Sequence, residues 1–368
     1  MSHFKLLARE PSGIGARLRD NNFDALRLIF ASMVVLFHLG LLTQSDSLKW
    51  LYLHVSATFA VQAFFVVSGF LVTMSYVNSA SALQYAEKRA RRIAPAYITV
   101  VVIAALILSL LSTLPLRAYF GSGDFWRYVG YNLVLANFRA ITLPGVFASN
   151  PEHAVNGSLW TIKIEVGFYL SVPVMVWAVR RFGYRRVIPA AFAASLAWHL
   201  GFEWLSTDHH GDMFDRIAKQ LPGQMSFFLG GAWAYYRALD GRAPRAWAAI
   251  LGLIAYAVTS DAENTSPLNW ALAPFAATAL VSWAALAGPR LPRVGKHGDF
   301  SYGVYLYHFP IVQSLIALGM FARAPLWAAV VAVVAVAGCT FLSWHLIEQP
   351  ALRRKPRLAL TQKPQAVT

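Results

Sequence analysis

The sequence predicts an all-α, polytopic membrane helical bundle of about ten transmembrane helices with both termini on the cytoplasmic side. Apolar runs of ~20 residues, the length a helix needs to cross hydrocarbon, recur from end to end. The 368 residues are 57% hydrophobic and only 13% charged, with a mean hydropathy of +0.48. That is too apolar for an ordinary soluble domain. The basic residues fall in short clusters between the apolar runs, so the net charge of +15 reads as topology rather than as a nucleic-acid surface.

The predicted spans are 24–44, 54–77, 93–113, 160–179, 187–206, 218–237, 246–260, 268–287, 301–321 and 325–347. Lys5, Arg9, Arg17 and Arg19 place the start of the chain inside. Lys88, Arg89, Arg91 and Arg92 mark the second inside loop, and Arg180, Arg181, Arg185 and Arg186 the third. Arg237, Arg242 and Arg245 mark the fourth, Arg290, Arg293 and Lys296 the fifth, and Arg353, Arg354, Lys355 and Arg357 the tail. The loops 207–215 and 260–267 are acidic or polar instead. This alternation holds only if residues 125–141 are a re-entrant or interfacial segment that does not cross. Three regions result: a cytoplasmic tail 1–22, a membrane body 23–352 and a basic cytoplasmic tail 353–368. No cleavable signal peptide is expected, because no small-residue cleavage site follows the first apolar run at 44–49. The single Cys339 excludes an intrachain disulfide framework and a cysteine metal site.

Arg27 and His38 share the first span, and hydrocarbon is a costly place for both. Eleven residues at ~100° each turn a helix within roughly 20° of three full turns, so the two side chains share a face about 16 Å apart. Lys88-Arg89-Ala90-Arg91-Arg92 opens the third span. It reads either as a phosphate cradle at a helix N-terminus or as plain topology marking. Ser68-Gly69 in the second span permits close backbone approach, to another helix or to a thin ligand.

Glu165 sits about one turn into the fourth span, beside Lys163, Thr161 and Tyr169. It reads as a base, as an orienting group for a histidine, or as half of an ion pair with Lys163 or Arg27. His308 stands among aromatic residues in the ninth span. His210-x4-Asp215 matches the spacing of soluble glycerolipid acyltransferases but stands alone, and His209, His210, Asp212 and Asp215 read as solvated rather than as a metal site.

Taken in order, these segments resemble the acyltransferase-3 family of integral membrane O-acyltransferases. The match runs through Arg27-x10-His38, Phe65-Val66-Val67-Ser68-Gly69-Phe70 and Arg89-x2-Arg92-Ile93-x-Pro95-x-Tyr97. It continues through Asn156-Gly157-Ser158-Leu159-Trp160, Glu165 and Tyr169, then Ser301-Tyr302-x3-Leu306-x-His308, and ends at Glu348-x-Pro350. Members often carry two acidic residues after the tryptophan, where this chain has Glu165-Val166, so a paired-carboxylate chemistry is not expected.

The resemblance implies transfer of an acyl group, usually acetyl, from cytoplasmic acyl-CoA to a hydroxyl of a cell-envelope or exported glycan or a lipid-linked saccharide. No bound cofactor or metal is implied, acetyl-CoA being a co-substrate, and the setting is the bacterial inner membrane. On this reading Arg89 and Arg92 hold the CoA phosphates, Arg27 steadies the donor, and the acyl arm passes Ser68 and Gly69. His38 is the base or transient acyl acceptor, Glu165 orients it or contacts the sugar, and Trp160, Tyr169 and His308 line the acceptor pocket. A transporter or flippase of a glycan or acyl intermediate is the alternative of another class, weakened by the lack of inverted-repeat symmetry.

Overall fold

The computed structural model describes residues 20–209, 212–259 and 267–353. Most of both predicted tails, the His210 of the His-x4-Asp spacing and the loop 260–266 lie outside the described residues. The described chain is all-helical, without a strand. Six of its helical segments are long and apolar enough to cross a membrane: Phe23–Thr43, Ala57–Val77, Ala82–Leu111, Gly157–Phe182, Leu268–Leu286 and Pro325–Arg353.

The first part of the chain is α1 (Phe23–Thr43), a short α2 (Lys49–His54), α3 (Ala57–Val77) and α4 (Ala82–Ile107), which tightens into a 3₁₀ turn at Leu108–Leu111. α3 and α4 begin at serine N-caps: Ser56 Oγ accepts from Phe59 N–H and Ser81 Oγ from Gln84 N–H. Two short helices follow, α5 (Leu116–Gly121) and α6 (Gly123–Leu133). α6 has 11 residues, about 16 Å of helix, which is too short to cross. It lies against α4, where Tyr97 Oη donates to Asn132 O at 2.8 Å.

α7 (Trp160–Phe182) and α8 (Tyr184–His209) are joined at Gly183, whose φ of +84° closes the turn. α9 (Asp212–Ala218), α10 (Leu221–Leu239), α11 (Ala246–Thr259) and α12 (Pro267–Leu286) come next. α13 (Ser301–Ala317), α14 (Met320–Arg323) and α15 (Pro325–Ser343) complete the bundle. α15 runs into a π-turn at Trp344–Glu348 and then α16 (Gln349–Arg353).

α3 is central, packing on α1, α7, α10 and α12. Its closest approach is to α10, and glycine makes it possible. A Cβ on Gly69 would lie 1.9 Å from Phe228 O, and one on Gly231 would lie 1.9 Å from Val66 O. In hydrocarbon, where apolar side chains gain little by meeting one another, such backbone contact is what holds helices together. α13 lies between α1 and α15, so the faces of α1 and α13 that carry histidines meet.

Candidate active site

Arg27 lies one turn into α1, and His38 sits three turns further along the same face. Arg27 borders a partly open cavity of about 490 Å³, whose wall also holds Ser68, Lys88, Arg89, Arg92, Glu165 and Tyr169. Thr161 and Tyr305 form another part of that wall. His38 is not in the wall. It stands two side chains away, because the Tyr305 ring that borders the cavity has its centroid 6.0 Å from that of His308, which in turn touches His38.

Four charges compensate one another where α1, α4, the turn before α13 and the π-turn meet. Asp299 accepts from both Arg27 and Arg92, and Arg92 reaches Glu348 at 3.3 Å. Ser301 Oγ donates to Asp299 at 2.6 Å, and Ser343 Oγ donates to the buried Glu348 at 3.1 Å. Burial by itself would push the Asp299 carboxyl up. Arg27 and Arg92, with the Ser301 bond, outweigh it and hold the group well below the usual carboxylate range.

Arg89 is placed differently. Its guanidinium stacks 5.6 Å over the Tyr169 ring. Its Nε is buried without a hydrogen-bond partner, and no ion pair engages it among the described residues. Lys88 donates to Ser79 Oγ at 3.2 Å and is also without an ion pair among the described residues. Ser68, which also lines the cavity, has its Oγ buried and unpartnered as well. Buried polar groups are ordinarily satisfied, so two orphan atoms on one cavity wall mark a surface built for a polar ligand.

The cluster does not sit at a helix N-terminus, the placement the sequence suggested. α4 begins at Ala82, so Arg89 and Arg92 sit two to three turns inside it, where backbone N–H groups are already bonded along the helix. Any anion is held by side chains alone. Arg92 is already engaged by two carboxylates, which leaves Arg89 and Lys88 as the uncompensated pair.

At the other end, the hydrogen bonds assign the protons of the two histidines. Carbonyl oxygens only accept, so a ring nitrogen facing one carries the hydrogen. His308 Nδ1 lies 2.8 Å from Tyr305 O and therefore donates. Its Nε2 is then the lone-pair nitrogen, and it lies 3.0 Å from His38 Nδ1 and 3.3 Å from Ser158 Oγ. His38 Nδ1 also faces Val34 O at 3.0 Å, so it carries a hydrogen shared between that carbonyl and His308 Nε2. The lone pair of His38 is thereby left on Nε2, the arrangement a base or nucleophile requires.

Other expected residues are distributed unevenly. Glu165 lines the cavity and accepts from Tyr169 Oη at 2.5 Å. It pairs with neither Lys163, which donates to Gln220 at 2.8 Å, nor Arg27, which holds Asp299. The group packed on His38 is His308 rather than Glu165. Gly69 faces the Phe228 backbone and not the cavity, so it packs helices and lines no ligand path. Trp160 and Tyr169 are nine residues apart, about 900°, and so lie on opposite faces of α7. Tyr169 borders the cavity under Arg89, while Trp160 is 39% exposed and away from it. No metal-binding group of three or more ligands exists among the described residues.

Sequence reasoning missed Asp299, and it used Glu348 only as the end of a motif. Asp299 did leave a signal, as a lone acid after Arg290, Arg293 and Lys296. Thr161, Tyr305 and Ser158 carry no comparable signal in the sequence. Tyr305 Oη contacts Thr161 Oγ1 at 2.7 Å and donates to Ser158 O at 3.2 Å, forming the partition between cavity and histidines.

Residues 20–344 match the acyltransferase-domain family. Nodulation protein 10 of Rhizobium leguminosarum bv. viciae is 32% identical over 95% of this chain and 97% of that protein. An O-acetyl transferase of Shigella phage Sf6 is 26% identical over 93% of this chain and 99% of its own length. A putative membrane-bound transacylase, BcsY, of Komagataeibacter xylinus is 26% identical over 91% of this chain and 83% of its own. No solved structure matches the chain.

Proposed function

The chain belongs to the acyltransferase-3 family of membrane O-acyltransferases, and from that premise we propose that it moves a short acyl group, acetyl foremost, from acyl-CoA to a hydroxyl of a cell-envelope or exported glycan. The observation that carries this reading is His38, with its Nε2 lone pair free, joined through His308 and Tyr305 to a cavity whose wall carries uncompensated Arg89 and Lys88. CoA is a polyanion on a thin arm. Its phosphates meet Arg89 and Lys88, Ser68 Oγ and Glu165 offer hydrogen bonds along the arm, and the thioester is delivered towards His38 past Tyr305.

His38 Nε2 takes the proton of the acceptor hydroxyl as its oxygen attacks the thioester carbonyl. The C–S bond breaks, the proton passes from His38 to sulfur, and CoA leaves as the thiol. The acyl group can instead rest on His38 Nε2 before the hydroxyl takes it.

A ten-span topology with both termini cytoplasmic accompanies this reading. α8, α10, α11 and α13 then cross along with the six long apolar segments, and α6 lies at the outer surface. The basic clusters at 88–92, 180–186, 237–245 and 290–296 fall at alternating helix ends, as cytoplasmic loops require. The donor cavity opens on the cytoplasmic side of a bacterial inner membrane, and the histidines approach the outer side where an exported glycan passes.

The test is the O-acetyl content of host surface glycans, and acetyl-CoA consumption by membranes, for wild type, His38→Ala and a strain lacking the protein. At matched protein levels, loss of the base lowers both by at least about 100-fold. Full acetylation with His38→Ala removes His38 from the chemistry, and unchanged acetylation without the protein removes the glycan acceptor.

A further inference from the structure

We infer that His308 is the positioning residue of this site, fixing the tautomer and orientation of His38 as a neutral counterpart of the carboxylate that usually backs a catalytic histidine. The inference rests on the acyl-transfer reading for its kinetic arm only, because the proton assignment stands on geometry. His308 is completely buried. Its Nδ1–H is committed to Tyr305 O at 2.8 Å, so its Nε2 can only accept. Two donors face that lone pair, His38 Nδ1–H at 3.0 Å and Ser158 Oγ at 3.3 Å. The two rings lie 5.0 Å apart between centroids, tilted by 33°, and Phe309 closes over His38 with its ring 5.2 Å away.

No carboxylate contacts His38 among the described residues. Glu165 is engaged by Tyr169, while Asp299 and Glu348 belong to the arginine network. Among the described residues, the side chain that holds the His38 Nδ1 hydrogen is therefore His308. Val34 O, on the helix of His38 itself, accepts the same hydrogen at 3.0 Å but cannot by itself fix the ring against α13.

A neutral acceptor suits a low-dielectric site. A buried carboxylate there would need its own compensation, whereas an imidazole held by a helix carbonyl does not. When His38 takes a proton at Nε2, its Nδ1–H bond to His308 becomes charge-assisted and strengthens at that moment. No proton has to reach His308 for this to work. Its own Nδ1–H stays on Tyr305 O throughout.

Two substitutions separate this role from packing. His308→Gln keeps an acceptor oxygen facing His38, and His308→Leu keeps bulk without one. In protein purified into nanodiscs with ¹⁵N-labelled histidine, His38 is assigned by its loss in His38→Asn. Its tautomer is then read from the ring nitrogens. We expect Nδ1–H for His38 in wild type and in His308→Gln, and a mixture of Nδ1–H and Nε2–H in His308→Leu.

Kinetically, His308→Leu lowers kcat by about 10–100-fold, the usual cost of losing an orienting partner behind a histidine, with the KM for acetyl-CoA within about 2-fold. His308→Gln recovers most of the kcat. Should His308→Leu not fold, wild type and His308→Gln still decide the tautomer. An Nε2–H tautomer for His38 in wild type overturns the inference, as does full kcat in His308→Leu. If wild type transfers no acetyl group at all, the acyl-transfer reading falls, while the nitrogen signals still decide the pairing.

Discussion

Arg92 and Arg89 are one turn apart on α4, with the same side chain and the same cavity beside them, yet their surroundings are opposite. Arg92 spends its charge on Asp299 and Glu348. Arg89 spends none on a carboxylate among the described residues and leaves its Nε unpartnered under the helices. An arginine already held by one buried and one half-buried acid is scaffold, since removing a partner from such a network strands charge in a poor solvent. An arginine stacked on an aromatic ring beside a cavity, with no carboxylate partner among the described residues, is ready for an anion. The charge cluster is thus two devices interleaved along one helix face, and each can be broken without the other.

The largest effect belongs to the scaffold half. Asp299→Asn leaves Arg27 and Arg92 facing an uncharged amide, and it should cost about 3–5 kcal/mol of unfolding free energy. Denaturant titration of the purified protein checks this, and a loss below about 1 kcal/mol would make the network dispensable. The pH dependence follows from the same carboxyl. Its folded value is depressed, so its contribution is complete above the unfolded value of about 4 and fades as pH falls through the folded value. The stability gap between wild type and Asp299→Asn should stay flat from pH 8 to 5 and shrink below about pH 4.

The ligand half should respond in KM rather than in stability. Arg89→Gln removes a charged donor that meets phosphate, worth about 1.5–3 kcal/mol, so the KM for acetyl-CoA should rise about 10–100-fold. Unfolding free energy should change by no more than the roughly 1 kcal/mol of its stacking on Tyr169. The wild-type KM should also rise with ionic strength, and the dependence should flatten in the variant. An unchanged KM would return the cluster to topology marking, and a collapse in stability would merge the two devices into one.

Which parts of this were legible beforehand has a physical pattern. Arg27 and His38 on one face followed from helix periodicity alone, as did their depth. The cation cluster was visible, but its place in the helix was not. Hydrophobicity begins near Ile93, whereas the helix begins at Ala82 behind the Ser81 cap, three turns earlier and largely polar. The Glu165–Lys163 pair, one of the readings open for Glu165, fails on local geometry, since residues two apart point to different faces of a helix. Asp299 with Arg27 and Arg92, and His308 with His38, join residues more than 200 positions apart. No spacing rule encodes such pairings. They arise because α13 lies against α1, a fact of packing.

Ser68 gives the smallest and most discriminating test of the comparison. Its Oγ is buried without a hydrogen-bond partner, on a residue of the cavity wall. If that hydroxyl serves only helix packing, Ser68→Ala removes an unfavourable group and nothing else. If it waits for a ligand, the same substitution separates two quantities that usually move together. Unfolding free energy should hold or rise by up to about 1 kcal/mol, because an orphan polar atom has gone. The KM for acetyl-CoA should rise about 3–10-fold, because one neutral hydrogen bond of about 1 kcal/mol has gone with it. Thermal unfolding and donor kinetics on one preparation read both. A gain in stability with unchanged KM would take the Ser68 hydroxyl out of donor binding, and a loss of stability would show that the hydroxyl already has a partner within the protein.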